Sequence, residues 1–108
     1  MKDARKHDRL VSLIGRLCAE YFSRESETKS LLTITNVALS VDGKYATILF
    51  TVFPEETEQS VLLIVKRKAG EARRFIEEHT RVGHVPFLSF KLDRGEKNRQ
   101  KIEEISKL

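Results

Sequence analysis

The sequence predicts a small α+β domain whose elements follow the order α-β-β-α-β, with a further helix at the C-terminus. Three observations support this class. Apolar residues recur with helical spacing over residues 10–22, two strand-like runs flank an Asp-Gly pair, and a long helical segment precedes a third strand-like run. A helix between two strands of one sheet is a crossover connection. We therefore expect the third strand to join the hairpin in a three-stranded sheet, with the helices packed on one face.

Size and composition favour a single domain spanning residues 1–108. The chain has 108 residues and 40% hydrophobic content, which suffices for one core without disulfides or metals. Its only cysteine, Cys18, cannot form an intramolecular disulfide. Residues 1–10 are charged and lead into no apolar run typical of a signal peptide, and the longest apolar run, residues 61–65, is far too short to span a membrane. We expect a cytoplasmic protein without membrane contact.

The first helix is predicted from an apolar stripe with three- and four-residue steps. Cys18 lies inside this stripe, which indicates a buried small hydrophobe and not a reactive thiol. Gly15 weakens a helix by about 1 kcal/mol relative to alanine, which indicates either close packing or simple tolerance. The stripe consists of Leu10, Leu13, Ile14, Leu17, Cys18 and Tyr21.

An antiparallel hairpin is predicted over residues 31–40 and 45–53. Both runs are rich in β-branched and aliphatic residues. The connecting Asp42-Gly43 pair is a strong turn signal, because glycine readily takes the positive φ that tight hairpin turns require. In the second run one face is expected to be buried, and it carries Ala46, Ile48, Phe50 and Val52.

The second helix is predicted over roughly residues 58–79, with Thr57 or Ser60 as its N-cap. A third strand over residues 86–92 follows, and residues 96–108 form a last charged helix with a thin apolar stripe. At 100° per residue the second helix has one apolar face, made of Val61, Val65, Ala69, Ala72, Ile76 and His79. The opposite face is cationic, interrupted only by Glu77, and carries Lys66, Arg67, Arg73 and Arg74.

Catalytic motifs are scarce in this sequence. It contains no Gly-rich phosphate loop, HExxH, CxxC or GxSxG pattern. The histidines, His7, His79 and His84, fall in different predicted elements without a shared ligand spacing. We therefore expect a binding protein and not an enzyme, with no metal, cofactor or small-molecule substrate.

The charge distribution favours a polyanionic partner. The net charge is +4 and the pI about 9.4, and the positive charge avoids the middle of the chain. Six of the 22 residues from 65 to 86 are lysine or arginine. Cations aligned on one helix suit a phosphate backbone, because each neutralised phosphate releases condensed counterions. The same residues could equally do no more than solvate an exposed helix face, so charge alone leaves both interpretations open.

Gly70 lies in the middle of this basic segment. A glycine there lets the helix bend, or lets another backbone come close where a side chain would obstruct it. A helix broken at a glycine and flanked by cations on a three-stranded sheet is similar to the GxxG clamp of KH domains. The sequence has no GxxG, only Lys68-Ala69-Gly70.

Two segments resemble the bacterial ribosome-binding factor A family, whose members have a type II KH-like fold. The stretch "LLTITNVALSVDGKYATILFTV" looks like the family's hairpin, and its matching positions are Ser40, Asp42, Ala46 and Thr47. The stretch "TRVGHVPFLSFKLDRGEKNRQKIEEI" resembles the family's closing segment through Arg81, Val85, Pro86, Leu88, Phe90 and Asp93. The family places an Ala-x-Gly kink between two helical halves, followed by arginine. Gly70 and Arg73 match it, whereas Lys68 stands where the alanine is expected.

The resemblance implies an assembly factor that binds the immature small (30S) ribosomal subunit and its precursor rRNA. The sequence leaves the oligomeric state open, and a monomer is the simpler expectation. It further implies assistance in late 16S rRNA maturation, including 5′-end processing, and support of growth in the cold, without catalytic residues or a cofactor. Two other functions stay open: a generic KH-like binder of single-stranded RNA, and a protein-interaction module that pairs through an edge strand. The candidate RNA-binding residues are Lys66, Arg67, Lys68, Gly70, Arg73, Arg74 and Arg81.

Overall fold

The computed structural model describes residues 2–25, 27–28, 31–81 and 83–95, and for residues 2–6 the backbone only. The predicted C-terminal helix over 96–108 lies outside the described residues. A 3₁₀ turn over Glu55–Thr57 precedes the second long helical segment. The elements in chain order are α1 (Lys2–Arg24), β1 (Leu32–Leu39), β2 (Tyr45–Val52), α2 (Glu58–Arg67), α3 (Ala69–Glu78) and β3 (Phe87–Leu92).

The three strands form one mixed sheet in the order β1-β2-β3. β1 pairs antiparallel with β2, and the register shifts by one residue between Ile34 and Asn36. β3 pairs parallel with β2 and begins with Phe87 opposite Tyr45. The hairpin turn closes at Gly43, whose φ of 72° is the positive value expected there. The predicted α+β class, the hairpin and the joining of the third strand to it are therefore confirmed.

The core lies between one face of the sheet and the three helices. The alternating residues of β2 predicted to face inward are all buried. Half of the predicted α1 stripe is buried, and its other members, Leu10, Leu13 and Tyr21, are partly buried against the core. Phe22, which follows the stripe in α1, is also buried. The buried side chains of the helices are Ile14, Leu17, Cys18, Phe22, Val61, Val65, Ala72 and Ile76.

α1 packs against β1 at Gly15. A Cβ placed on Gly15 would lie 3.4 Å from Cγ2 of Val37, at the limit of ordinary van der Waals contact. The close-packing explanation of this glycine is therefore correct, because a larger side chain would push the helix away from the strand.

The predicted helix over residues 58–79 is divided at Lys68, where φ is −95° and ψ is 5°. The kink that was predicted is present, but it lies two residues before Gly70 and not at the glycine itself. Thr57 is the N-cap residue of α2 without a side-chain cap bond, because its hydroxyl donates to the carbonyl of Pro54. His79 was predicted on the core face and is exposed, since it follows the end of α3, where a ring nitrogen is 2.8 Å from the carbonyl oxygen of Phe75.

Candidate nucleic-acid interface

Basic residues concentrate where α2 meets α3. Lys66 and Arg67 occupy the last turn of α2, and Lys68 is the residue between the two helices. Cations at the C-terminal end of a helix are stabilised by the partial negative charge of its unpaired carbonyls. The carbonyl end of α2 therefore stabilises positive charge at this junction whether or not a ligand is bound. The same positive charge would attract a phosphate backbone.

Gly70 lies in the first turn of α3 and is exposed. A Cβ at this position would meet nothing within 4 Å, and Gly43 is the glycine with positive φ among the described residues. Neither backbone conformation nor internal packing requires glycine at position 70. Because glycine has no side chain, nothing projects from the protein surface at this position, and the backbone of another molecule can approach it.

Arg67 pairs with Glu27, at 3.2 Å between Nη2 and Oε1. Both side chains are well exposed, at 64% and 46%. Exposed ion pairs of this kind contribute about 0–1 kcal/mol, because water screens the attraction and the side chains lose freedom. A phosphate can therefore replace Glu27 at little cost, and Arg67 stays available for binding.

Lys68 is held inside the fold. Its ammonium lies 3.2 Å from Glu25 and 3.9 Å from Glu71, and its side chain is 17% exposed. Glu71 also accepts a hydrogen bond of 2.8 Å from the hydroxyl of Tyr21. Partial burial, followed by the hydrogen bond and charge of Glu71, raises the pKa of Tyr21, so its phenol remains a donor. Lys68 thus ties the end of α1 to the α2–α3 junction.

Arg73 is also held by internal contacts, although it was predicted among the binding residues. Its Nη2 and Nε donate to the carbonyl of Val85 at 2.8 and 3.1 Å, and Nε also donates to Pro86 at 3.2 Å. Its Nη1 is 3.2 Å from Glu77, and the guanidinium lies 4.3 Å from the ring centroid of Phe87. Arg73 therefore fixes the chain that leads into β3. No sequence signal pointed to this role, because the accepting carbonyls belong to a loop.

Lys66, Arg74 and Arg81 are exposed and have no ion-pair partner among the residues that the structure describes. Arg74 shares the solvent side of α3 with three exposed carboxylates, not with Glu77 alone. The helical projection left these positions just outside the cationic arc, although residues three before and four after Arg74 neighbour it on the surface of the same helix. The other two carboxylates are Glu71 and Glu78.

The seven predicted binding residues thus separate into two groups. Lys68 and Arg73 are tied into the fold, whereas the other five line an exposed surface that runs from the end of α2 along α3 to the segment after α3. We call this surface the junction surface, and it consists of Lys66, Arg67, Gly70, Arg74 and Arg81. Within the described parts of the chain, no cluster of His, Cys, Asp or Glu could hold a metal ion, and no helix could cross a membrane.

A mixed three-stranded sheet covered on one face by α1 and a broken α2–α3 pair defines a KH-like α+β protein. A family model described as ribosome-binding factor A matches residues 6–106. The chain therefore belongs to the ribosome-binding factor A family.

Individual relatives agree with this family. Ribosome-binding factor A of Thermobifida fusca is 30% identical over 108 residues, covering 97% of this chain and 72% of the relative. The crystal structure of the Thermus thermophilus protein is similar with a TM-score of 0.71 and 26% identity, covering 82% of this chain and 97% of that one. A homology model of the Thermus thermophilus protein, fitted into an electron-microscopy map of its complex with the 30S subunit, gives a TM-score of 0.65 at 26% identity, covering 77% of this chain and 90% of that one.

Proposed function

We propose that this protein is a ribosome assembly factor that binds the immature 30S subunit and assists late maturation of 16S rRNA, including processing of its 5′ end. The observation that carries this proposal is family membership, together with the 30S complex of the related Thermus thermophilus protein. The protein acts in the cytoplasm as a monomer, without cofactor or catalysis, and supports growth in the cold.

The junction surface offers a physical basis for this binding. Its cations are exposed, and the one in an ion pair can exchange its carboxylate for a phosphate at little cost. Each phosphate that they neutralise releases counterions, which makes binding favourable at moderate salt. Gly70 leaves room for the rRNA backbone to lie against the start of α3. Binding that depends on such surface contacts is reversible, so mature rRNA structure can displace the protein.

Sedimentation of a cell lysate tests the location of the protein. We expect the tagged protein to travel with free small subunits and not with complete ribosomes. A strain without the protein should accumulate 16S rRNA with an unprocessed 5′ end, more strongly in the cold. A tagged protein that stays at the top of the gradient would contradict the proposal.

Charge reversal tests the junction surface. The double substitution Lys66→Glu and Arg74→Glu should release the protein from small subunits, because two phosphate contacts become repulsive. The matched control is Arg9→Glu with Arg16→Glu, which makes the same change in net charge on exposed positions of α1. Equal loss of binding in both variants would show that net charge, and not this surface, drives association.

A further inference from the structure

Two aromatic side chains lie exposed on the face of the sheet that no helix covers. Tyr45 begins β2 and Phe87 begins β3, and the two residues are paired directly across the parallel ladder. Their ring centroids are 5.9 Å apart with an angle of 35° between the rings. The relative exposure is 55% for Tyr45 and 52% for Phe87, whereas the next residue in β2, Ala46, is fully buried in the core. The two rings therefore form a patch on the outer face.

Arg73 holds one side of this patch in place. Its guanidinium, fixed by the carbonyls of Val85 and Pro86, lies 4.3 Å from the ring centroid of Phe87. A cation over an aromatic face is attractive and orients both groups. Arg73, Phe87 and Tyr45 thus form a row of three planar groups that links the rings to α3, where the guanidinium is also paired with Glu77.

The outer face around the rings is suited to a polyanion. No aspartate or glutamate occurs in any of the three strands. Beyond the rings, the outward positions of β2 and β3 carry one apolar side chain, Leu49, together with the hydroxyls of Thr47, Thr51 and Ser89 and the ammonium of Lys91. Lys44, directly before Tyr45, is also exposed. Aromatic rings among cations and hydroxyls, without carboxylates on the strands, match a ligand that is flat, aromatic and attached to phosphate.

We propose that Tyr45 and Phe87 form a platform on which an unpaired RNA base stacks. The inference rests on the proposed function, because it states which part of the rRNA this face takes: a single-stranded nucleotide. Aromatic residues on open sheets bind single-stranded RNA in this way elsewhere, since every base has a π face that can stack. The platform is separate from the junction surface, and Arg73 connects the two.

The test compares ring-removing with ring-retaining substitutions. Tyr45→Leu and Phe87→Leu keep apolar area but remove the π face, whereas Tyr45→Phe and Phe87→Tyr keep it. Two probes are used: single-stranded oligouridylate of about eight nucleotides, and an abasic ribose-phosphate chain of the same length and charge. We expect each leucine variant to bind oligouridylate about 5- to 150-fold more weakly than wild type. The leucine variants should bind the abasic chain with the affinity of wild type. The ring-retaining variants should bind both probes with the affinity of wild type.

A spectroscopic readout follows from the absence of tryptophan in the chain. Phe87→Trp introduces a single indole into the platform, and stacking of a base should quench its fluorescence, whereas the abasic chain should not. Leu63→Ala serves as the control for loss of an exposed apolar side chain, because Leu63 is 69% exposed on α2. This variant should bind both probes like wild type.

The outcomes separate this inference from the proposed function. If leucine supports oligouridylate binding as well as the rings do, stacking is overturned and the face serves an apolar partner instead. Wild-type protein that still travels with small subunits would in that case leave the assembly function standing. If the rings are required for oligouridylate but the protein does not travel with small subunits, the platform stands and the proposed ribosomal role fails.

Discussion

Arg73 combines hydrogen bonds to two loop carbonyls with a contact to the ring of Phe87. A lysine at this position keeps the charge but lacks the planar fork that donates to both carbonyls at once. We expect Arg73→Lys to lower the free energy of unfolding by about 1–3 kcal/mol, as measured by urea denaturation, because hydrogen bonds from a charged donor are lost.

Arg74 provides the matched control, since it neighbours Arg73 but is exposed without an ion-pair partner among the described residues. Arg74→Lys should change the free energy of unfolding by no more than about 0.5 kcal/mol. Equal stability of the two lysine variants would show that the contacts of Arg73 contribute nothing to the fold.

Cys18 is buried in α1, and burial raises the pKa of its thiol from the ordinary 9.0 to about 12. Because the thiolate is the reactive form, we expect almost no labelling by iodoacetamide at pH 8 in the native protein and full labelling in urea. The folded pKa is above the unfolded one, so the stability contributed by the neutral thiol is complete below pH 9. It should be lost as the pH rises from 9 to 12. Rapid native labelling would contradict this burial.

At the scale of elements, the glycines of α1 and α3 have opposite surroundings. A Cβ at Gly70 meets open space, so Gly70→Ala should raise the free energy of unfolding by about 0.4–1 kcal/mol by restricting the unfolded chain. The same variant should bind small subunits several-fold more weakly, if an rRNA backbone lies against this position. Thermal unfolding and sedimentation measure the two effects. Unchanged binding would show that the glycine has no role in the interface.

Gly15→Val is the structural counterpart. Added methyl groups would crowd Val37, which already lies 3.4 Å from the position of a Cβ. We expect a loss of about 1–3 kcal/mol in the free energy of unfolding. Because Gly15 lies between α1 and β1, small-subunit binding by the folded fraction should be retained.

The elements themselves were predictable from local patterns. The Asp42-Gly43 turn and the alternation of β2 depend on neighbouring residues, so they could be derived from the sequence. The division of the long helix was also predicted, but its position was not. Gly70 has the highest backbone freedom, yet the chain leaves helical geometry at Lys68, where the ammonium reaches Glu25 beyond α1. A contact between distant segments accompanies the break and cannot be read from local propensity.

For the whole molecule, the salt dependence of binding measures how many cations contact phosphate. With four exposed cations on the junction surface, log K for small subunits should fall with log salt with a slope of about −3. Replacing Lys66 and Arg74 by glutamine should reduce this slope to about half. A flat dependence would instead favour a protein-interaction module that pairs through an edge strand.

The sequence by itself determined the class of fold, the order of the elements and the inward face of β2, because hydrophobic periodicity and turn chemistry act over a few residues. Only the tertiary structure decided which cations are free. Glu27 lies 40 residues from Arg67, and the carbonyl of Val85 lies 12 residues from Arg73. Only folding brings such groups together, and it likewise sets Tyr45 beside Phe87. Charge and ring content are properties of the chain, but whether a group is available to a partner depends on what the fold places next to it.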